Sequence, residues 1–227
     1  MARIKNDPRP RRSHSFVVAL AGLAFSAGAA DQPYLHAPAV DAYARHDPGG
    51  LTILSNGRYL KPVGRHLPVA HEPYGLAMSR DGKTIFVASD ETGQLITDWQ
   101  GAQPVVTVVN PPTYQRKPGK KEKGSNSGGA EFSPDGKMLY WSSGETGAIY
   151  IFDVASRGLI AEVSLNTEVG GRNYEDSYAV DVKLSADGKY LYSADVTNFR
   201  LVVVDTARRQ VIGSVAVGRY PYALAVV

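Results

Sequence analysis

Phe132-Ser133-Pro134-Asp135-Gly136-Lys137-Met138-Leu139-Tyr140-Trp141 is the stretch that decides the fold. An apolar residue and a serine lead into an Asp-Gly pair, and a run of aliphatic and aromatic side chains follows. Asp and Gly accept the positive φ of tight turns and the run suits a pleated strand, so the stretch reads as a hairpin. It occurs twice more, around Ser79-Arg80-Asp81-Gly82-Lys83 and around Ser185-Ala186-Asp187-Gly188-Lys189. The aspartates lie 54 and 52 residues apart. Self-similarity at such a period is the signature of a repeat architecture.

Each unit continues in the same style. The triplets Glu91-Thr92-Gly93 and Glu145-Thr146-Gly147 each place Gly eleven residues after the turn glycine. Strands are expected beyond them over residues 94–99 and 105–109, then 148–154 and 159–165, and in the third unit over 201–204 and 211–217. No part of residues 30–227 sustains a 3.6-residue apolar period, which excludes a helical solenoid. Four short strands per unit, repeated, is the pattern of propeller blades. The expected fold is therefore all-β, a β-propeller of four-stranded antiparallel blades spanning about 74–110, 128–165 and 178–217 within a domain at 50–227.

The flanks extend the repeat. Residues 51–58 and 67–74 match the third- and fourth-strand part of the last unit, so the domain opens with half a blade. Residues 221–227 repeat 73–79 and are expected to supply one further strand. That makes 15 strands, or about three and a half blades, against about 28 strands for a ring of seven. Three readings fit the count: a chain cut short of its ring, which a stop in mid-hairpin favours; several chains sharing one ring; or a four-bladed closure. Open blade edges also make self-association an expected hazard.

The charge of the 227-residue chain, formally +3, sits unevenly. Arg3, Lys5, Arg9, Arg11 and Arg12 stand against Asp7, and a small apolar stretch over 16–30 ends in Ala27-Gly28-Ala29. Basic head, short apolar middle and A-x-A end are the layout of a secretory signal peptide over 1–29, with a pre-blade segment at 30–49. The apolar stretch is too short to span a bilayer as a helix. Phe16 stands too far from Arg11-Arg12 for a twin-arginine signal, so ordinary export to the periplasm or the exterior is expected. Beyond residue 29 the chain holds 20 basic and 21 acidic side chains, which removes the case for a nucleic-acid partner. With no cysteine, disulfides, zinc-thiolate sites and cysteine nucleophiles are excluded.

Taken together, Val217-Gly218-Arg219-Tyr220-Pro221-Tyr222-Ala223-Leu224-Ala225, Ser133-Pro134-Asp135-Gly136-Lys137 and the strand that follows resemble the YVTN-family β-propeller repeat. The likeness covers residues 50–227 and departs at the namesake tetrapeptide, which here reads Phe86-Val87-Ala88-Ser89, Tyr140-Trp141-Ser142-Ser143 and Tyr192-Ser193-Ala194-Asp195. The resemblance implies a secreted or periplasmic bacterial propeller, often seven-bladed. It also implies kinship with quinoprotein amine dehydrogenase subunits and haem d1 propellers, and some similar proteins carry a phosphoesterase domain after the propeller. Fold analogy assigns no activity.

Residues able to do chemistry are sparse. His36, His46, His66 and His71 lack metal-ligand spacing, the turn serines lack a nucleophile elbow, and the turn aspartates are hairpin formers, so no catalytic residue, metal site or cofactor is expected. Meander topology puts the second-to-third-strand turns and the blade-to-blade connections on one face. Both long insertions, 110–128 and 166–177, lie there, and loops held by a rigid scaffold commonly carry binding. The first holds Arg116, Lys117, Lys120, Lys121 and Lys123 against Glu122, a candidate anion loop whose glycine-rich flank reads as solvated and mobile. A candidate ligand rim comprises His71, Tyr74, Arg172, Tyr174, Tyr178, Arg219 and Tyr222. Glu131 and Lys183 occupy equivalent positions in adjacent blades and are expected to pair across them.

The expected function is an exported binding scaffold for a protein, polymer or small ligand, without catalysis in this chain. The alternative is the propeller portion of a larger secreted enzyme such as a phosphoesterase fusion. N-terminal sequencing of exported protein is expected to begin at Ala30; recovery of a soluble cytoplasmic species that retains Met1 would contradict the signal reading.

Overall fold

A computed structural model describes residues 38–39, 41–47, 50–61, 63–89, 92–117, 120–123 and 128–227. The proposed signal peptide and His36 lie outside these residues. The chain divides into two units, 1–62 and 63–227. In the first, β1 (Thr52–Ile53) pairs antiparallel with β2 (Tyr59–Leu60), and Arg45 exchanges two 2.8 Å backbone hydrogen bonds with Ile53.

The second unit is built from three four-stranded antiparallel meanders. The first blade comprises β3 (Pro73–Met78), β4 (Thr84–Ser89), β5 (Gly93–Thr97) and β6 (Val105–Val109). A hairpin of β7 (Thr113–Lys117) and β8 (Lys120–Lys123) precedes the second blade, β9 (Ala130–Phe132), β10 (Met138–Ser142), β11 (Ala148–Asp153) and β12 (Leu159–Ser164). A two-residue-armed hairpin, β13 (Glu168–Val169) and β14 (Arg172–Asn173), then leads to the third blade, β15 (Ala179–Leu184), β16 (Tyr190–Asp195), β17 (Arg200–Asp205) and β18 (Gln210–Ala216). The first strands β3, β9 and β15 stand side by side. The fold is thus all-β and made of propeller blades, as the repeat predicts.

The Asp-Gly turns form for a different reason than the sequence suggests. Gly82, Gly136 and Gly188 all take φ 71°, yet their aspartates stay out of the left-handed region. Each aspartate instead ties a knot. Asp135 Oδ1 accepts the Ser133 hydroxyl at 2.6 Å and the Lys137 amide at 3.1 Å, while Ser133 Oγ accepts the Met138 amide at 2.9 Å. The same three bonds recur around Asp81 and around Asp187. Bonds to the ionised carboxylate favour it, so all three aspartates titrate below the ordinary range, Asp187 at about 2, with the serine hydroxyl as the main cause.

Alternation along the strands makes each blade two-faced. Leu139, Trp141, Tyr150 and Phe152 of the second blade point back to Phe86, Ala88 and Leu95 of the first. Tyr140, Ile149, Ile151 and Val163 point forward to Val182, Leu184, Leu191 and Val202 of the third. Trp141 is fully buried, with its ring centroid 5.0 Å from Phe86 and 6.2–6.3 Å from Phe152 and Tyr150. A blade covered on both sides needs apolar residues on both faces, which explains why β10 and β11 read as nearly continuous apolar runs. On the third blade Tyr192, Leu201, Val203 and Val215 repeat the forward positions of the second, and Val215 is 59% exposed.

Where the first strands meet, backbone replaces side chain. A Cβ at Gly129 would stand 2.6 Å from the Val180 carbonyl oxygen, and the Gly129 amide donates to that same oxygen at 3.1 Å. Nearby, Lys183 Nζ lies 3.2 Å from Glu131 Oε2, the cross-blade pair expected from their equivalent positions.

Four expectations need correction. Gly93 does not match Gly147: Gly147 is a turn residue at φ 64°, whereas Gly93 is in β5 opposite Ala88, where a side chain would strike the Phe86 ring. Of residues 67–74, expected to hold a fourth strand, 67–72 form none and Pro73 already opens β3. Residues 67–72 are irregular, with the Ala70 amide 2.6 Å from Gln94 Oε1, and just before them the Arg65 guanidinium is bonded to the Gly101 and Ala102 carbonyls. Residues 221–227 form no strand either, because no ladder partner stands beside them; the Leu224 amide instead donates to Asp181 Oδ2 at 2.8 Å. Both insertions, finally, contain hairpins rather than structureless loop.

Trp141→Ala removes the ring that joins the first two blades and is expected to cost about 3–5 kcal/mol in denaturant unfolding; a loss under about 1 kcal/mol would show that the blades do not depend on this contact.

Candidate functional site

Among the rim candidates, Arg172 and Tyr174 are brought together. Gly170 and Gly171, at φ 60° and 78°, form the two-residue tip of the β13–β14 hairpin, the geometry that matches strand twist. Arg172 pairs with Val169 just past that tip, and its guanidinium carbon lies 4.8 Å from the Tyr174 ring centroid. The same ring is met at 3.5 Å by a second guanidinium, that of Arg200 at the start of β17. Tyr174 is therefore stacked against two arginines.

Arg200 is only 1% exposed, and its charge is answered inside the protein. Nε donates to Asp195 Oδ2 at 2.9 Å, and Nη2 donates to the Leu165 carbonyl at 2.6 Å and to Ser177 Oγ at 3.3 Å. Nη1 is buried without a hydrogen-bond acceptor. Contact with an aromatic face, worth about 2 kcal/mol when desolvated, offsets part of that cost. Asp195 is itself fully buried; its Oδ1 accepts the Tyr178 amide at 3.1 Å and its Oδ2 accepts Asn198 Nδ2 at 3.1 Å. The Tyr174 phenol titrates below the ordinary tyrosine range, first through its bond with the Ser214 hydroxyl and then through Arg172 and Arg200.

Other rim residues gather less closely. Tyr178 is half-buried, and burial, followed by the proximity of Glu145 and Tyr222, raises its pKa. Tyr222 is 76% exposed. Tyr74 donates its hydroxyl to the Ser89 carbonyl at 3.1 Å. His71 lies 3.9 Å from its neighbour Glu72 and Arg219 is exposed, with neither joined to the stack. Tyr220, outside the predicted rim, packs edge-on against Phe199 at 5.4 Å. Glu72, Asp176 and Tyr220, each two residues before a rim tyrosine, share one backbone feature, with φ of 51°, 51° and 55°. The backbone of the candidate anion loop is the β7–β8 hairpin, with Lys117 opposite Lys120 and Thr113 opposite Lys123; the side chains of Arg116, Lys117, Lys120, Lys121 and Lys123 lie outside the described residues.

Sequence reasoning missed Asp195 and Arg200. The signal was available in the repeat: the second blade has Ser143 and Ala148 at these positions, with the Ala148 amide bonded to Ser143 Oγ at 2.7 Å. Two opposite charges at one turn, where another blade is small and neutral, mark a local addition. Chemically, the assembly presents Arg172, a planar fork of donors without a hydrogen-bond or ion-pair acceptor among the described residues, suited to a carboxylate or similar oxyanion. No group of His, Asp and Glu among the described residues is arranged to hold a metal, and no helix there is long and apolar enough to cross a membrane.

The sequence matches no protein-family model and no curated protein. Solved structures of β-propeller proteins are similar to this chain, among them the two that follow. The hydrazine synthase of Kuenenia stuttgartiensis aligns over 70% of this chain and 40% of its own, at 21% identity and a TM-score of 0.47. U3-55K aligns over 66% of this chain and 41% of its own, at 16% identity and a TM-score of 0.50. The chain thus spans about two fifths of their length, and the U3-55K likeness shows the fold alone.

Arg200→Met leaves the Asp195 carboxylate buried without its partner and is expected to cost about 3–5 kcal/mol. Adding Asp195→Ser, the serine that the second blade uses at this position, is expected to restore most of the loss in urea unfolding; an equally unstable double variant would refute the pairing account.

Proposed function

We propose that this chain is an exported, YVTN-type β-propeller repeat domain that works as a non-catalytic binding scaffold and takes its partner on the face carrying both insertions. The observation that carries this reading is the ordered β13–β14 hairpin, which holds Arg172, without a hydrogen-bond or ion-pair acceptor among the described residues, at the surface on a stacked Tyr174. A loop merely tolerated by the scaffold has no reason to be stacked on a buried arginine and tied at both ends. The three Ser-x-Asp-Gly turns and the signal-like residues 1–29 support the family and export parts of the reading.

The rest of the face suits recognition. Exposed Tyr220 and Tyr222 offer large amphipathic surfaces of the kind enriched at interfaces, and Arg172 offers a charge-assisted, directional contact to an anionic group of the partner. Blade packing below supplies rigidity, so little ordering remains to be done when a partner arrives.

Purified chain, immobilised and exposed to the secreted and periplasmic fraction of its source, is expected to retain a partner that the combined variant Arg172→Ala, Arg219→Ala and Tyr222→Ala retains at least tenfold less. Equal retention by the triple variant would move the binding surface elsewhere.

A further inference from the structure

We infer that Arg200 and Asp195 are positioning residues whose task is to dock the 166–177 insertion onto the third blade, so that Arg172 and Tyr174 are presented as one preformed unit. This inference rests on the binding-face reading above and adds to it the device that sets the geometry of that face.

The pair holds the insertion at three places. At its start, Arg200 Nη2 takes the Leu165 carbonyl, the last one before the insertion. In its middle, the guanidinium carries the Tyr174 ring at 3.5 Å. At its end, Nη2 reaches Ser177 Oγ and Asp195 Oδ1 takes the Tyr178 amide. Asn198, in the turn between Asp195 and Arg200, adds a bond from Nδ2 to the Glu175 carbonyl at 3.0 Å and another to Ser177 Oγ at 3.2 Å. The insertion contributes its own closure, Asn166 Oδ1 accepting the Ser177 amide at 2.8 Å. These tethers leave the turn 195–200, and the bond between the Tyr174 phenol and the Ser214 hydroxyl on β18 adds one from elsewhere in the blade.

The second blade shows that a blade does not need this pair. Its turn is closed by the Ala148 amide, which donates to Ser143 Oγ, with no charged pair at these two positions. On the third blade, what the Arg200 side chain bonds to or stacks on, apart from Asp195, belongs to the 166–177 insertion or borders it. Buried charge pairs are costly compared with apolar packing, and fixing one arrangement is the use for which they are best attested. Here the arrangement fixed is that of a polar hairpin with two-residue arms, too short to hold a posture by its own ladder.

The test uses the full chain and reads the hairpin separately from the blade. In Arg200→Met combined with Asp195→Ser, which is expected to restore the stability of the blade, amide hydrogen exchange over 166–177 is expected to accelerate at least tenfold relative to β15–β17, and the Tyr174 phenol, followed by ultraviolet titration against a Tyr174→Phe control, is expected to titrate at higher pH. Should this double variant fold poorly, Tyr174→Leu, at a partly exposed position, is expected to accelerate exchange in the same segment while leaving the blade strands unchanged. Unchanged exchange over 166–177 in both variants, or equal acceleration across the hairpin and β15–β17, would overturn the inference. Docking and binding remain separable: if the hairpin loosens while partner retention by Arg172→Ala equals that of the wild type, the docking role stands and the binding-face reading fails.

Discussion

Everything in the second unit depends on blade faces packing on one another without a gap at the centre. Trp141 sets one side of that constraint by filling the space between the first two blades from the middle of β10. Gly129 sets the other, because the first strands can approach only where a backbone hydrogen bond, rather than a side chain, joins them. Large residue in the layer and no side chain at the axis together give the fan its taper. The Ser-Asp knots then hold each blade's first hairpin in register without drawing on the core.

This scaffold explains why the face with the insertions can be polar and still ordered. Turns and connections on it are anchored to strands whose positions are already determined by burial. Arg200 is the point where the two requirements meet, since it begins a strand of the third blade and supports a ring of the insertion. A charge in that place would be a liability in an isolated hairpin. Between a blade and a docked insertion, with Asp195, Leu165 and Ser177 arranged around it, it becomes a fixed post.

Much was legible in the sequence because repetition multiplies a weak signal. One Asp-Gly pair before an apolar run is a common hairpin sign; three at nearly equal spacing set the strand order, the two faces and the Glu131–Lys183 pairing. The errors arose where local chemistry was read without its partner. Gly93 looked like a turn glycine by offset, but the shorter turn of the first blade places it in a strand, opposite Ala88. Residues 221–227 had the right pattern for a strand and lacked a neighbour to pair with.

The sequence by itself determined the class of fold, the length of the unit and the face on which the insertions lie, since these follow from period, alternation and meander topology. Only the tertiary structure decided which residues of that face act together. Arg172, Tyr174, Asp195 and Arg200 span 29 positions along the chain and share no motif, and their association comes from the connection between the second and third blades folding back over a turn of the third. Stacking and buried pairing depend on distances of 3 to 5 Å, which packing sets and linear spacing does not.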